Sequence, residues 1–215
     1  MTDSTDRPDS LRALMERRDC TDPAQGDHPM QTLVERLDGG NPGRPRRTLR
    51  TPPLVAGRDG WQLRHSTTET VLAALADVLA EASPGLVVRC PGLVCGGRQP
   101  GATALTGHQL DYWVLGETDS IALAGLVRPT MAAALPGCPY RLLPSAGSGP
   151  VAGFRIDIGL DGAWREVGDC GVLHHDGAPI AVGFRLALEP LLAASGLGDD
   201  LQEAGTTETV TSSRS

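Results

Sequence analysis

Thiols and imidazoles are the side chains of this sequence with the clearest capacity for chemistry, because both can bind a transition metal. Cys90 and Cys95 occur close together, and His174 and His175 are adjacent much later in the chain. Zinc sites usually pair closely spaced cysteines with histidines separated by about three to five residues. Adjacent histidines do not fit that pattern, so the sequence predicts no metal site. These residues do not identify a catalytic group either.

Guanidinium groups are the second candidates, since four of them occur within the short segment Asn41–Arg50. They belong to Arg44, Arg46, Arg47 and Arg50. A run of like charges either lies in solvent on a loop or contacts an anion such as a phosphate. The sequence leaves both interpretations open.

The elements that would position a site are best defined between Gly153 and Pro190. Phe154–Ile158 alternates apolar and polar residues as a half-buried strand does, and Trp164–Val167 is typical of the strand that returns after a turn. Ile180–Leu188 is long and apolar enough for a central strand. A helix is predicted to follow, with Pro190 in its first turn, where the missing N–H costs nothing. This stretch is therefore a scaffold of three strands and a helix that can carry a site.

The rest of the chain predicts a mixture of helices and strands. We expect a helix opening at His28-Pro29, a strand at Trp61–Arg64, a helix capped by Ser66, strands at Leu86–Cys90 and Gln109–Leu115 joined by the loop Pro91–Gly107, a helix from Asp119 that is interrupted at Pro129, and a brief strand at Tyr140–Leu143. Strands and helices do not alternate regularly in this order. The predicted fold class is therefore α+β, with a mostly antiparallel sheet flanked by helices.

Length and composition indicate one folded domain. A chain of 215 residues is long enough to bury a core. We assign that core to residues 28–196. The segments 1–27 and 197–215 are polar and rich in Pro, Gly, Ser or Thr, and both are predicted to be disordered tails.

Charge and apolar content argue against several classes of protein. The net charge of −7 argues against a nucleic-acid-binding surface. No apolar run approaches the ~20 residues of a membrane span. The five cysteines are scattered, which is typical of a reducing compartment, so we expect a cytoplasmic protein that does not bind membranes.

Four segments of the chain carry a resemblance to the catalytic core of class II aminoacyl-tRNA synthetases, closest to the α subunit of phenylalanyl-tRNA synthetase. Leu63–Thr68 is similar to the Leu-Arg-Thr-His-Thr-Ser segment of that family, and Pro91–Asp111 resembles its motif 2 hairpin. Trp164–His174 resembles its Trp-Leu-Glu-Ile and Gly-Cys-Gly-Met-Val-His segments, and the helix after His28 is similar to motif 1. The four occur in the family's order. The resemblance implies the family's catalytic fold.

The resemblance also implies a set of substrate-binding residues. In the family a hydroxyl, a Gln and a Glu hold the α-amino group of the amino acid, and Thr68, Gln109 and Asp111 occupy those places here. All three can accept hydrogen bonds from an ammonium. The family's histidine is replaced by Ser66. The other pocket residues that the resemblance implies are Glu166, Cys170 and Gly171. The alternative is that Gln109 and Asp111 simply form the exposed face of a strand.

The nucleotide half of the resemblance is incomplete. The family binds Mg-ATP with one arginine from motif 2, one from motif 3, and glycines that leave room for the purine. Motif 3, Gly-Leu-Gly-Leu-Glu-Arg, is replaced here by Arg185 to Pro190, so Arg185 and Ala187 fill both glycine positions and proline replaces the arginine. In motif 2 the nearest arginine is Arg98. We therefore take Arg98 and Arg185 as the candidate nucleotide- or anion-binding residues and leave the use of ATP and Mg open.

Two functions follow from this resemblance. The chain is either a class II core that binds an amino acid or a related small carboxylate and activates it with ATP, or an adenylation-inactive paralogue that acts as a ligand-binding, regulatory or structural partner subunit. Enzymatic activity, which would be that of an ATP-dependent amino-acid-activating ligase, is left open. Class II cores usually dimerise through the motif 1 helix, so a homodimer through residues 28–38 or a complex with a partner subunit is expected. The sequence has no counterpart of an anticodon-reading domain, so direct tRNA binding is not expected.

Overall fold

The described residues form an α+β fold in which helices flank a seven-stranded sheet. The computed structural model describes residues 18–50, 54–57, 60–81, 83, 85–96, 105–145 and 151–197. Strands β1 to β9 are Arg46–Thr48, Leu54–Gly57, Gly60–Leu63, Val87–Gly96, Leu105–Leu115, Tyr140–Pro144, Val151–Leu160, Ala163–His175 and Ala178–Ala187. Helices α1 to α5 are Pro29–Gly39, Thr67–Ala73, Leu75–Glu81, Ser120–Ala134 and Leu188–Ala194, and a short 3-10 helix is Pro23–Gln25. The predicted fold class is confirmed.

The large sheet is mostly antiparallel. Its strand order is β1-β4-β5-β9-β8-β7-β6, and only β1 and β4 among these described neighbours run parallel. Strands β7, β8 and β9 are joined by two tight turns, Asp161-Gly162 and Asp176-Gly177, and all four turn residues have positive φ. Asp-Gly favours this turn geometry, which matches the right-handed twist of the strands. The hairpin predicted around the turn between Phe154–Ile158 and Trp164–Val167 is therefore present, and a second hairpin joins β8 to β9.

Two apolar layers cover the two faces of the sheet. Helices α1, α4 and α5 pack on the face that carries Tyr112 and Phe184, whose rings stack with centroids 5.0 Å apart. We call this the core face. Helices α2 and α3 pack on the opposite face, where Val71 and Val78 meet the fully buried Trp113. We call this opposite face, which also carries Asp111 and Arg185, the site face.

Helix α1 uses its apolar residues inside the molecule. Met30, Leu33, Val34 and Leu37 are all buried in the layer that α1 shares with α4 and α5. The residues that face outward along this helix are polar. The homodimer through residues 28–38 stays a prediction, and the apolar side of this helix is already covered by its own chain.

The sequence pattern predicted that helix α4 is interrupted at Pro129, but the helix continues through this proline. Pro129 lies inside the helix and removes the N–H that would bond to the carbonyl of Gly125, an exposed residue whose carbonyl water can reach. One residue on, the Thr130 hydroxyl donates to the Leu126 carbonyl at 2.9 Å and accepts from the Asn41 amide at 2.7 Å. These side-chain bonds support the turn that contains the proline.

Residues before the predicted domain boundary at residue 28 make contacts with the rest of the fold. Asp22 caps the short 3-10 helix, and Thr21 is buried. The backbone N–H of Cys20 donates to His108 Nε2 at 3.0 Å. Residues 18–27 therefore belong to the folded domain. Of the predicted tails 1–27 and 197–215, residues 1–17 and 198–215 lie outside the described residues, as do residues 97–104 between β4 and β5.

Candidate ligand-binding site

A row of polar residues crosses the site face of the sheet at one register. Arg155, Asp169, Arg185, Asp111 and Cys90 are direct partners across β7, β8, β9, β5 and β4. Residues that pair directly across antiparallel strands have their side chains on the same face. The sheet therefore places two arginines and two carboxylates side by side in the middle of the protein.

A bulge in β8 brings Asp169 into this row. Gly168 pairs with Ile156 and Glu166 pairs with Asp157, so Val167 is an extra residue in β8. Val167 is buried in the layer of the core face. Two consecutive residues thus face the core, and Glu166 and Asp169 both lie on the site face although they are three positions apart.

Asp111 is enclosed and fully engaged. Its side chain accepts hydrogen bonds from the Thr67 hydroxyl, from the Thr68 hydroxyl at 2.8 Å and from the Trp113 indole N–H at 2.7 Å, and the residue is 0% exposed. Burial raises the pKa of Asp111, against the three hydrogen bonds and the nearby Arg185 guanidinium, which favour the carboxylate. Since Thr67 and Thr68 begin α2, Asp111 anchors that helix to the sheet.

Arg185 and Asp169 form a partly exposed ion pair in this row, next to Arg155, whose side chain is 40% exposed. An Arg185 Nη2 to Asp169 Oδ2 distance of 2.6 Å defines their ion pair, and the two side chains are 31% and 24% exposed. The other terminal nitrogen of Arg185 lies 3.5 Å from the Ser66 hydroxyl oxygen. Ser66 is the N-cap of α2, and its hydroxyl accepts from the Thr68 N–H at 3.1 Å.

Gln109 lies two residues before Asp111 on the same face of β5. It is half-buried, and its side-chain oxygen lies 3.4 Å from the backbone N–H of Thr67. Gly92 is its partner on β4. A side chain at Gly92 would collide with the guanidinium of Arg64, which is itself buried and donates to the Leu93 carbonyl at 2.9 and 3.2 Å.

A second row, next to the polar one, consists of glycines. Gly153, Gly171 and Gly183 are direct partners across β7, β8 and β9, and Gly183 is opposite Trp113 on β5. A Cβ atom added to Gly183 would lie 2.5 Å from Trp113 Cε3 and closer still to the Tyr112 carbonyl oxygen. The glycines leave three strands without side chains on the site face beside the Arg185–Asp169 pair.

Apolar residues close the far side of the glycine row. Val151, Leu173 and Ala181 are direct partners one step further along the same strands. Leu173 and Ala181 are fully buried in the layer under α2 and α3. The site face therefore changes from charged to bare backbone to apolar within three rows.

The segment that replaces motif 3 engages His108 through a carboxylate. Glu189 Oε1 accepts from both the backbone N–H and the Nδ1 of His108 at 2.8 Å. Burial raises the pKa of Glu189, but its hydrogen bonds with His108 outweigh burial and hold that pKa below its usual value. Pro190 follows in the first turn of α5 and has no group that can donate to a phosphate. The sequence pattern did not identify the pairing of His108 with Glu189.

The charged row continues to the edge of the sheet. Arg155 Nε donates to Asp157 Oδ1 at 2.8 Å, and Arg141 donates to Asp157 Oδ2 at 2.8 and 3.0 Å. The Arg141 guanidinium also lies 4.4 Å above the Trp164 ring. Three arginines and three carboxylates, those of Asp157, Asp169 and the exposed Glu166, thus share the site face of β6 to β9, with no net charge.

The structure brings together most of the residues that the sequence singled out, but not all. Ser66, Thr68, Gln109, Asp111, Gly171 and Arg185 lie on the site face. Glu166 is separated from them and lies 3.6 Å from Arg155. The Cys170 side chain is buried in the layer of the core face, and burial raises its pKa to about 12. Arg98 lies outside the described residues.

The arginine run between residues 44 and 50 makes contacts within the chain. Arg44 forms an ion pair with Glu117 at 2.6 Å, and Arg46 donates to two backbone carbonyls at 2.8 and 3.1 Å. Arg50 donates to the Thr21 carbonyl at 3.1 Å. The described contacts of these three arginines hold segments of the protein together.

Two expectations from the sequence concern a metal site and a membrane-spanning helix. Within those ranges no cluster of three or more His, Cys, Asp or Glu residues has the geometry to hold a metal ion. No described helix is both long and apolar enough to cross a membrane.

The seven-stranded sheet with its flanking helices is similar in fold to a class II aminoacyl-tRNA synthetase. Two solved structures of pyrrolysyl-tRNA synthetase from Desulfitobacterium hafniense each align with a TM-score of 0.56 at 16% sequence identity. The alignments cover 86% and 84% of this chain and 73% and 74% of the synthetase chains. At that identity the likeness shows the fold alone.

Sequence comparison adds nothing to the structural likeness. No protein-family model matches this sequence, and no curated protein matches it. The structural likeness supports the class II fold that the sequence resemblance implies. The closer likeness to the α subunit of phenylalanyl-tRNA synthetase stays a prediction.

Proposed function

We propose that this protein binds an amino acid or a related small carboxylate on the site face and does not adenylate it. The observation that carries the proposal is the partly exposed Arg185–Asp169 pair beside the row Gly153, Gly171 and Gly183. A guanidinium is the preferred partner of a carboxylate because its N–H groups match the two oxygens. Gly153 and Gly171 place no side chain next to this pair, whereas the Trp113 ring packs against Gly183.

The residues at the nucleotide end do not fit ATP in the manner that the class II resemblance implies. Arg185 stands where that resemblance expects a glycine that admits the purine, and its guanidinium is held by Asp169. Pro190 takes the place of the phosphate-binding arginine, and the neighbouring Glu189 adds negative charge and binds His108. Losing such a phosphate contact typically costs several kcal/mol of transition-state stabilisation.

The charge of the site face supports the same conclusion. On β6 to β9 three arginines and three carboxylates balance, and β5 adds the carboxylate of Asp111, so these strands offer no excess positive charge to a triphosphate. A zwitterion or a monocarboxylate suits a neutral arrangement better, because every buried or half-buried charge then keeps an opposite neighbour.

The proposal is tested by thermal unfolding of the purified protein with each standard L-amino acid and a series of short aliphatic carboxylates, with and without Mg-ATP. A ligand that binds only the native state at about a hundred times its Kd adds about 2.7 kcal/mol of stability, which raises the melting temperature. We expect a shift with at least one amino acid or carboxylate and no further shift with Mg-ATP. Amino-acid-dependent exchange of pyrophosphate into ATP would refute the absence of adenylation. The lack of any shift would refute ligand binding.

A further inference from the structure

Two carboxylates of the polar row are candidates for holding a ligand's ammonium, and they differ in access. Asp111, which corresponds to the family's ammonium-binding residue, is 0% exposed and already accepts three hydrogen bonds. A carboxylate in this state has little capacity left for a ligand, because its oxygens are occupied and water does not reach it. A ligand would have to displace α2 to reach Asp111.

Asp169 has the access that Asp111 lacks. Its side chain is 24% exposed, and only its Oδ2 has a hydrogen-bond partner within the described part of the chain, the Arg185 guanidinium. Oδ1 is therefore open to a donor. The side chain is also held in place, since Arg185 lies opposite it on β9 and Arg155 lies opposite it on β7.

Arg185 likewise has donors to spare. Its guanidinium has five N–H groups, and the described contacts are the bond to Asp169 and a long one, 3.5 Å, to Ser66. A ligand carboxylate can therefore bind Arg185 while the bond to Asp169 remains.

These observations lead to a proposal that rests on the proposed function and makes it more specific. We propose that the ligand is a zwitterionic α-amino acid whose ammonium is held by Asp169 and whose carboxylate is held by Arg185. Asp111 is then a positioning residue that fixes α2 and Trp113 and does not touch the ligand. The four charges alternate around the site, so each has an opposite neighbour and none is left unpaired on binding. A ligand that lacks the amine would give Asp169 no ammonium to bind. A ligand that lacks the carboxylate would give Arg185 no carboxylate to bind.

The first test needs no variant. Binding to the wild-type protein is measured by calorimetry for the best amino acid of the thermal panel, its analogue without the amino group and its analogue without the carboxylate. For leucine these probes are 4-methylpentanoate and 3-methylbutylamine. We expect each analogue to bind about tenfold to a hundredfold more weakly than the amino acid, as is typical for the loss of a charge-assisted hydrogen bond. An analogue without the amino group that binds as tightly as the amino acid overturns the proposal.

The second test assigns the ammonium to Asp169. Asp169→Asn should weaken amino-acid binding by about tenfold to a hundredfold and change binding of the analogue without the amino group by less than about threefold. Asp176→Asn is the matched control, since it removes the same charge from a side chain that is 91% exposed in the turn after β8. Circular dichroism and melting temperature show whether each variant is folded.

The outcomes separate this inference from the proposed function. If no amino acid and no carboxylate binds, both are refuted. If carboxylates bind but amino acids do not, the proposed function stands and the zwitterion is refuted. If Asp169→Asn leaves amino-acid affinity unchanged in a folded protein, Asp169 is not the ammonium partner and the inference alone is refuted.

Discussion

Replacing Gly183 by alanine tests whether the glycine row is required for the sheet to pack. The added Cβ would lie 2.5 Å from Trp113 Cε3 and closer to the Tyr112 carbonyl oxygen, whereas ordinary contacts begin near 3.4 Å. Neither neighbour can easily move. Trp113 is fully buried and its indole N–H is bonded to Asp111 at 2.7 Å, and the Tyr112 carbonyl belongs to the adjacent strand β5.

The magnitude follows from these contacts. Overpacking a well-packed site costs roughly 1–3 kcal/mol. Alanine also restricts the unfolded chain, which offsets roughly 0.4–1 kcal/mol of that cost when the native conformation allows it. We therefore expect Gly183→Ala to lower the free energy of unfolding by up to about 2.5 kcal/mol. Urea denaturation measures this as a lower midpoint with an unchanged slope.

Gly125→Ala is the control with the opposite sign. Gly125 lies in the interior of α4, is exposed, and a Cβ there would meet no atom of the described residues within 4 Å. Alanine in a helix interior is favoured over glycine by roughly 0.5–1 kcal/mol. We expect this variant to be more stable than the wild type. A Gly183→Ala protein as stable as wild type would refute the packing argument.

Three further predictions concern buried or paired ionisable groups. Asp111→Asn should lower the free energy of unfolding by about 1–3 kcal/mol in urea titrations, because the amide replaces one acceptor oxygen by a donor and leaves a buried donor unpaired; equal stability would contradict the anchoring of α2. Burial raises the pKa of Cys90 and of Cys170 to about 12, so both thiols should resist iodoacetamide in the native protein and react in urea, as mass spectrometry of peptides would show; modification in the native state would contradict their burial. Burial opposes ionisation of Asp157, but its arginine partners hold its pKa below the usual 3.8. The ionised carboxylate therefore stabilises the fold at pH values above 3.8, and this contribution is lost as the pH falls through the lowered pKa. The stability difference between wild type and Asp157→Asn should therefore be constant above about pH 5 and shrink as the pH falls below 3.8, and a difference that stays constant through that fall would contradict this assignment.

Much of the fold could be predicted because its signals are local. The strands around residues 154–188 alternate in hydrophobicity, and their Asp-Gly turns favour tight hairpins. Ser66 caps α2 by accepting a hydrogen bond from the backbone N–H of Thr68, two residues along the chain. Signals of this kind depend on a few adjacent residues and can be recognised without knowledge of the tertiary structure.

Predictions failed where distant residues decide the outcome. Pro129 was expected to interrupt its helix, but Thr130 and Asn41 supply bonds to the proline turn from within and outside the helix. The first residues of the domain were assigned to a tail, yet the Cys20 N–H bonds to His108, far along the chain. Neither partner can be identified from local sequence.

The sequence by itself therefore determined the class of fold, the capped start of α2 and the polar residues Ser66, Gln109 and Arg185 that the structure places on one face. Tertiary structure alone decided which carboxylate is open to solvent. Alternation along a regular strand does not put Glu166 and Asp169 on the same face, and only the bulge in β8 does so. Asp111 looks exposed in the strand pattern, but α2 packs over it and supplies two of its three hydrogen bonds. Accessibility depends on what covers a residue, and that depends on elements remote in the sequence.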